Sequence, residues 1–289
     1  MQSILVKAKA KINLTLDVIG KREDGYHELE MIMQSINLQD TLSIKKIKAP
    51  VVRLDCNYTW LPTDERNIVY KAVKLFLERI NSNQGIAVSI NKKIPVGAGL
   101  GGGSADAAAA LVGLNKLFGM KLSKKELMEM GLSLGADVPF CIMRGTALAR
   151  GVGEKLTTVH GIHNAPLLIV KPSFSVSTAK IYKNLDLDKI SEHPNTTQML
   201  EALKKRDLDQ VAMNMVNVLE TVTIPMHQEI QEIKEEMIEQ GAINSLMSGS
   251  GCAVFALFRN YDKALKAAKH FKFNRNFREV YVTTTYSRN

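Results

Sequence analysis

Cysteine is scarce in this chain, and no stretch of it is apolar for long. The three thiols, Cys56, Cys141 and Cys252, stand far apart, with no C-x-x-C pair and no histidine cluster beside them. Neither a disulfide framework nor a zinc site is indicated, and each is expected to be a small buried apolar side chain. No apolar run approaches the roughly 20 residues that span a bilayer. The opening Met1-Gln2-Ser3-Ile4-Leu5-Val6-Lys7 is too short and too soon charged for a secretory leader, so a cytoplasmic protein without a membrane partner is expected. Internal repeats and low-complexity tracts are missing as well. What remains is a chain of 289 residues, 45% hydrophobic, with a mean hydropathy of −0.06, enough for one large domain or two modest ones. Its net charge of +9 fits nucleic acid, an anionic surface or small polyanions equally, so where the charge sits matters more than its total.

The most informative segment is Pro95-Val96-Gly97-Ala98-Gly99-Leu100-Gly101-Gly102-Gly103-Ser104, which runs directly into Ala105-Asp106-Ala107-Ala108-Ala109-Ala110-Leu111. Five glycines in seven positions let backbone N–H groups crowd round one anion. The alanine run then supplies a helix whose positive end faces that anion, so a polyphosphate is the natural guest. Gly97, Gly99 and Gly102 satisfy G-x-G-x-x-G, yet the dinucleotide fingerprint needs a βαβ unit and an acid about 20 residues on. The acid in range here is Glu126, inside a capping box, and a Walker A loop is excluded because no lysine follows the glycines. The bland alternative is a glycine turn that only packs a helix closely. Ser104 is expected at the helix start, either as its cap or in reach of a phosphate or Mg²⁺.

Around that loop the chain reads as mixed α+β. Alternation over Ile4–Val18 predicts one or two strands, Arg22–His27 a turn built on Asp24-Gly25, and Met31–Leu38 and Thr41–Ile47 two further strands. Asn67–Asn81 has helical spacing, Ile86–Asn91 is a strand entering the glycine loop, and Ser123 opens a second helix ending near Gly135. Gly145–Glu154 is turn-rich and Ala165–Lys171 a buried strand, with a lobe boundary near residue 155. The second half predicts helices over Thr178–Gly241, strands near Ile243–Met247, Ala253–Phe258 and Glu279–Thr285, and a helix over Asp262–Phe271. This pattern suits helices over an antiparallel sheet.

Three further segments add chemistry. Lys11-Ile12-Asn13 puts a cation and an amide on one face of a strand, Leu134–Pro139 carries Asp137 beyond a helix end, and Ser248-Gly249-Ser250-Gly251 is a second small-residue turn. Singly each has an ordinary explanation: a solvated lysine, a capping aspartate, a hairpin turn.

Together with the loop, they resemble the three motifs of the GHMP kinases, the superfamily of galactokinase, homoserine kinase, mevalonate kinase and phosphomevalonate kinase. Lys11–Leu14 is similar to motif one, Pro95–Ala108 to motif two and Met247–Phe255 to motif three. Asp24-Gly25-Tyr26-His27-Glu28-Leu29 and Gly135–Pro139 are similar to a branch acting on a CDP-linked methylerythritol. The resemblance implies an α+β, two-lobed fold, with a ribosomal-S5-like N-terminal lobe (1–155), an α/β-plait-like C-terminal lobe (156–289) and the active site in the cleft between them. It further implies transfer of the ATP γ-phosphoryl group to the substrate's 2-hydroxyl, with Mg²⁺. By the same likeness, Pro95, Gly97, Gly99, Leu100, Gly101, Gly102, Gly103 and Ser104 hold the triphosphate, and Asn67–Val69 with Lys92 or Lys93 border the adenine. Asn13, Tyr26, His27, Asp137, Ser177 and Thr178 face the acceptor, with Ser175 beside them. The family often has two hydroxyl residues after the glycines, whereas Ser104 here precedes Ala105, and no counterpart of the acidic metal ligand of the mevalonate kinases stands out, so the metal ligands stay unassigned.

Phosphoryl transfer asks mainly for positioning and charge compensation. Asp137 is expected to accept or orient the hydroxyl proton, and Lys11, within contact range, to keep that carboxylate ionised and offset charge on the transferring group. Tyr26 and His27 can stack on and bond to the cytosine, or else Tyr26 plugs the core and His27 is solvated. A mevalonate or homoserine kinase is the alternative acceptor class. RNA binding through His270–Arg278, where aromatics alternate with cations, is the alternative function, against which a solvated link with apolar anchors is set. A monomer or weak homodimer without nucleic acid is expected.

Overall fold

The computed structural model describes residues 2–287. They form two compact units, each drawn from several stretches of chain: 2–10, 38–94 and 101–144 in the first, and 11–37, 95–100 and 145–287 in the second. Two long strands, β1 (Ser3–Lys21) and β2 (His27–Ile47), belong partly to each. The segments read as separate strands at Met31–Leu38 and Thr41–Ile47 are therefore one continuous strand. Leu42 and Ile44 stay inside, and Asp40, fully buried in its middle, interrupts the apolar pattern that would have joined the two.

In the first unit, the end of β2 pairs antiparallel with β4 (Gly85–Asn91), Thr41 opposite Asn91, and β4 pairs in parallel with β3 (Val52–Cys56). Between β3 and β4 lies α1 (Ile68–Arg79), capped by Asn67, whose side chain accepts from the Val69 N–H. Its buried stripe is Val69, Ala72, Val73, Phe76 and Leu77, the spacing expected of a one-faced helix. After the glycine loop comes α2 (Gly102–Leu117), whose alanines are buried almost all round. α3 (Lys124–Leu132) starts in the expected capping box of Ser123 and Glu126, and α4 (Val138–Met143) follows. Six residues that also suit a strand hid α4 from the sequence pattern; Pro139 in its first turn needs no N–H partner there. α2 packs on α1 and α4, and α3 on α4.

In the second unit, Gly145–Glu154 is less turn-like than its glycines suggested. Thr146–Gly151 forms β5, paired with Leu29–Gln34 of β2 on one side and with β6 (Lys155–Thr158) on the other. Ala147, Leu148 and Ala149 are all buried, so the alternation that marks a one-sided strand is absent. The remaining chain gives β7 (Pro166–Lys171), α5 (Thr178–Asn184), α6 (Thr196–Lys205), α7 (Leu208–Met213), β8 (Val216–Asn217), α8 (Glu220–Met226) and α9 (Glu229–Glu239). It ends with β9 (Asn244–Met247), β10 (Val254–Leu257), α10 (Tyr261–Phe273) and β11 (Glu279–Thr284). The four strands β11, β7, β10 and β9 form an antiparallel sheet in that order, with α9 packed on β9 and β10 and α10 on β7 and β11. β8, two residues long and unannounced by any pattern, lies parallel to β1 with Thr15 opposite Val216.

Candidate active site

Within the second unit the two glycine segments close on each other. A Cβ built on Gly99 would lie 1.9 Å from the Ser248 carbonyl oxygen, and Gly99 has φ +77°, so only glycine fits both the conformation and the approach. Ser248 Oγ donates to the Gly99 carbonyl at 3.0 Å, and the Ala253 N–H to that of Ala98 at 3.2 Å. The thiol of Cys252, buried as expected and pushed up to about 11 by that burial, reaches the Phe174 carbonyl at 2.9 Å. Leu100 accepts from the Lys11 N–H at 3.0 Å, which joins the loop to β1. Lys11 is buried, and its ammonium donates to Asn13 Oδ1 at 2.9 Å, the same-face pairing that the i, i+2 spacing predicts. The second-lobe hydroxyls come to the same turn: Thr178 Oγ1 is 2.7 Å from Ser250 Oγ, while Ser177 caps α5 by accepting from Lys180 N–H. Ser175 Oγ stands 3.0 Å from where a Gly97 Cβ would be.

Tyr26 lies in the Asp24-Gly25 turn and is 65% exposed, so it does not plug the core. His27 is partly buried, its ring 5.2 Å from that of Tyr182. Burial, with the Lys21 charge behind it, lowers its pKa and favours the neutral imidazole. An exposed phenol and a neutral ring next to each other form a surface able to stack on a base.

Within the first unit, Gly101 caps α2 in the left-handed conformation, and no side chain caps it. Ser104 sits in the first turn of α2 and is not its cap, so the first of the two roles expected for its hydroxyl does not hold. A Cβ on Gly103 would be 3.7 Å from Ile68 Cγ2, so the start of α1, with Asn67, stands beside the start of α2. Beneath α2 is a buried triad that the sequence did not announce. Lys92 Nζ bridges Asp40 at 2.6 Å and Asp106 at 2.8 Å, and Asp40 also accepts from the backbone N–H groups of Lys93 and Ile94. Burial works against the Lys92 ammonium, but Asp106 and then Asp40 outweigh it and raise its pKa. Burial pushes Asp106 up to about 7, against the pull of Lys92 and with the Asp40 charge adding to the rise. Its Oδ1 is buried without a hydrogen-bond partner. One charged residue in an alanine run was the available signal. Asp137 occupies the N-cap position of α4, half-buried, and its carboxylate makes no capping hydrogen bond.

In His270–Arg278, Phe271 is buried against Phe277, His270 pairs with Glu236, and Arg275 with Glu236 and Glu232. His270, Phe271, Arg275 and Phe277 thus anchor the link, while Phe273 is 79% exposed, so packing accounts for part of the alternation of aromatics and cations.

The glycine loop and the second glycine turn both lie in segments that are similar to known proteins. Residues 67–145 match the GHMP kinase N-terminal domain and 199–275 the GHMP kinase C-terminal domain. The chain belongs to the GHMP kinases. It groups there with the 4-diphosphocytidyl-2-C-methyl-D-erythritol kinases: that of Clostridium novyi is 50% identical over 96% of this chain and 99% of its own. A crystal structure of 4-(cytidine 5'-diphospho)-2C-methyl-D-erythritol kinase is 32% identical, with TM-score 0.83, covering 98% of this chain and 99% of that one. Homoserine kinase from Cytophaga hutchinsonii, 23% identical with TM-score 0.78 over 99% of this chain and 95% of its own, shares the fold. Membership makes the chain a phosphotransferase that draws on ATP.

Proposed function

We propose that the chain transfers the γ-phosphoryl group of ATP to the 2-hydroxyl of 4-diphosphocytidyl-2-C-methyl-D-erythritol, a step toward isoprenoid precursors. One observation carries the choice of acceptor: 50% identity to a kinase of that name across 96% of the chain, against a likeness of fold alone to a homoserine kinase. The close fit of Gly99 on Ser248 supports a phosphate loop held rigid rather than a loose turn. In this reading the backbone of Pro95–Ser104 binds the triphosphate, and Asn67 and Lys92 shape the adenine side from behind the loop, since both have their side chains engaged within the protein. Asp137 receives or orients the hydroxyl proton, Lys11 offsets charge on the transferring group, and Asn13 orients Lys11. Tyr26 and His27 take the cytosine, and Ser177 and Thr178 belong to the acceptor wall. The two matched family segments fall on either side of residue 155, which supports a division there, whereas the compact units interleave across it.

Mg²⁺ belongs to the proposal as the ion carried by the nucleotide. Among the described residues no three His, Cys, Asp or Glu side chains converge to hold a metal, so no protein ligand is assigned to it and no step is derived through it. No helix of the structure is long and apolar enough to cross a membrane; a cytoplasmic monomer or weak homodimer completes the reading. The test is ADP release with MgATP and, in separate wells, the CDP-linked acceptor, mevalonate, homoserine and galactose. Turnover only with the first is expected. Turnover with another alcohol instead would reassign Tyr26 and His27, and none in any well would sink the kinase reading.

A further inference from the structure

The motif-three turn is also gripped from its other side, by a residue that no motif includes. β9 is the outer strand of its sheet, so Met247, at its end, has no strand beyond it to bond. Two side chains take that place. The Met247 N–H donates to Glu220 Oε1 at 2.7 Å, and its carbonyl accepts from Asn217 Nδ2 at 2.8 Å. The second amide hydrogen of Asn217 goes to the Gly249 carbonyl at 2.8 Å, and its oxygen accepts from the Leu219 N–H at 3.0 Å. Asn217 is buried with both amide hydrogens in use, and its backbone lies in β8, beside Leu16 of β1. It therefore ties the strand that carries Lys11 to the turn at 248–251.

That turn is where the machinery meets. It bonds the loop through Ser248 to Gly99, and a Cβ on Gly249 would lie 3.6 Å from Lys11 Nζ. We infer that Asn217 is a positioning residue for phosphoryl transfer: by holding the Met247 and Gly249 carbonyls it fixes the turn, and through the turn the Ala98–Gly99 backbone and the Lys11 ammonium. The inference rests on the kinase reading above. An amide is the group suited to the task, because it offers two donors to two carbonyls in one plane; a carboxylate there would face both oxygens with negative charge.

The test compares the wild type with Asn217→Ala, Ser248→Ala and the double variant. It measures kcat, KM for ATP and for the CDP-linked acceptor, thermal stability, and binding of a fluorescent ATP analogue without acceptor. Asn217→Ala is expected to raise KM for ATP, or lower kcat, by roughly tenfold while KM for the acceptor moves by less than about twofold. Because Asn217 acts through the turn, its loss and that of Ser248 should not multiply: the double variant should stay within about threefold of Asn217→Ala. Reduced thermal stability with unchanged kcat and KM would make Asn217 a structural residue only, and multiplying losses would place its effect elsewhere. Should Asn217→Ala not fold, Asn217→Ser, which retains one donor, is read by the same split. A wild type that binds the analogue yet turns over no acceptor overturns the kinase reading, while the analogue affinities of the variants still decide the role of Asn217.

Discussion

At the scale of single residues, Asp137 and Gly99 carry the sharpest expectations. Asp137→Asn keeps the shape of a side chain that no helix cap depends on, so the fold and ATP binding should survive while kcat falls by about 10²–10⁴, the scale of a lost general base. Steady-state kinetics beside an unchanged thermal melt would check this, and near-normal turnover would remove Asp137 from the chemistry. Gly99→Ala places a methyl 1.9 Å from a backbone oxygen, a neighbour that cannot swing aside as a side chain could. Overpacking of this kind costs about 1–3 kcal/mol; urea melts should show it, together with a raised KM for ATP. Unchanged values for both would mean that the loop yields freely. These residues were visible in the sequence because glycine and isolated charges stand out against their surroundings. Asn217 was not, since nothing local distinguishes an asparagine that bonds across 30 and 32 positions of chain. Asp40 stayed hidden for the same reason, its partners lying 52 to 54 residues away.

At the scale of elements, two predictions follow from how α2 and α3 are held. The triad under α2 joins β2, the residue that follows β4 and the helix, and the groups facing Asp106 are Lys92, Asp40 and the Cys56 thiol, whose pKa burial holds above its usual range. An unfolded aspartate titrates near 4, whereas Asp106 in the fold is raised to about 7. The folded chain therefore binds the extra proton between those values, and its stability falls as pH climbs through that window and levels off above it. Asp106→Asn has no such proton. The urea midpoint of the wild type minus that of the variant should shrink between pH 5 and pH 8, and a flat difference would show that Asp106 titrates normally. Ser123→Ala removes the cap of α3 and should cost about 1 kcal/mol, read from the same melts, with kinetics unaltered. An unchanged melt would show the capping box to be dispensable. Capped, one-faced helices such as α1 and α3 were legible because their signals are local. β5, β8 and α4 were not: β5 is buried on both faces, β8 exists only through its pairing with β1, and α4 is too short for a period to show.

At the scale of the whole molecule, the net charge of +9 suits the substrates proposed above. ATP and a CDP-linked alcohol are both polyanions, and a positive field speeds their approach while salt screens it. Raising the salt from about 50 to about 300 mM should lower kcat/KM several-fold and leave kcat nearly constant; a kcat/KM indifferent to salt would make the charge irrelevant to capture. The interleaving of the two units has a further consequence, for the order of events during synthesis. All of the first unit lies within the first 144 residues, but the second needs both the Lys11 half of β1 and the final strand, β11. As the chain emerges from its N-terminus, the first unit has all its parts once Arg144 is out, with the rest of β1 and β2 already attached, paired with each other and open on their outer edges. Those outer edges must wait for β5 and β8 to be made, so a nascent chain stalled after the first unit would present exposed strand edges open to pairing with other chains.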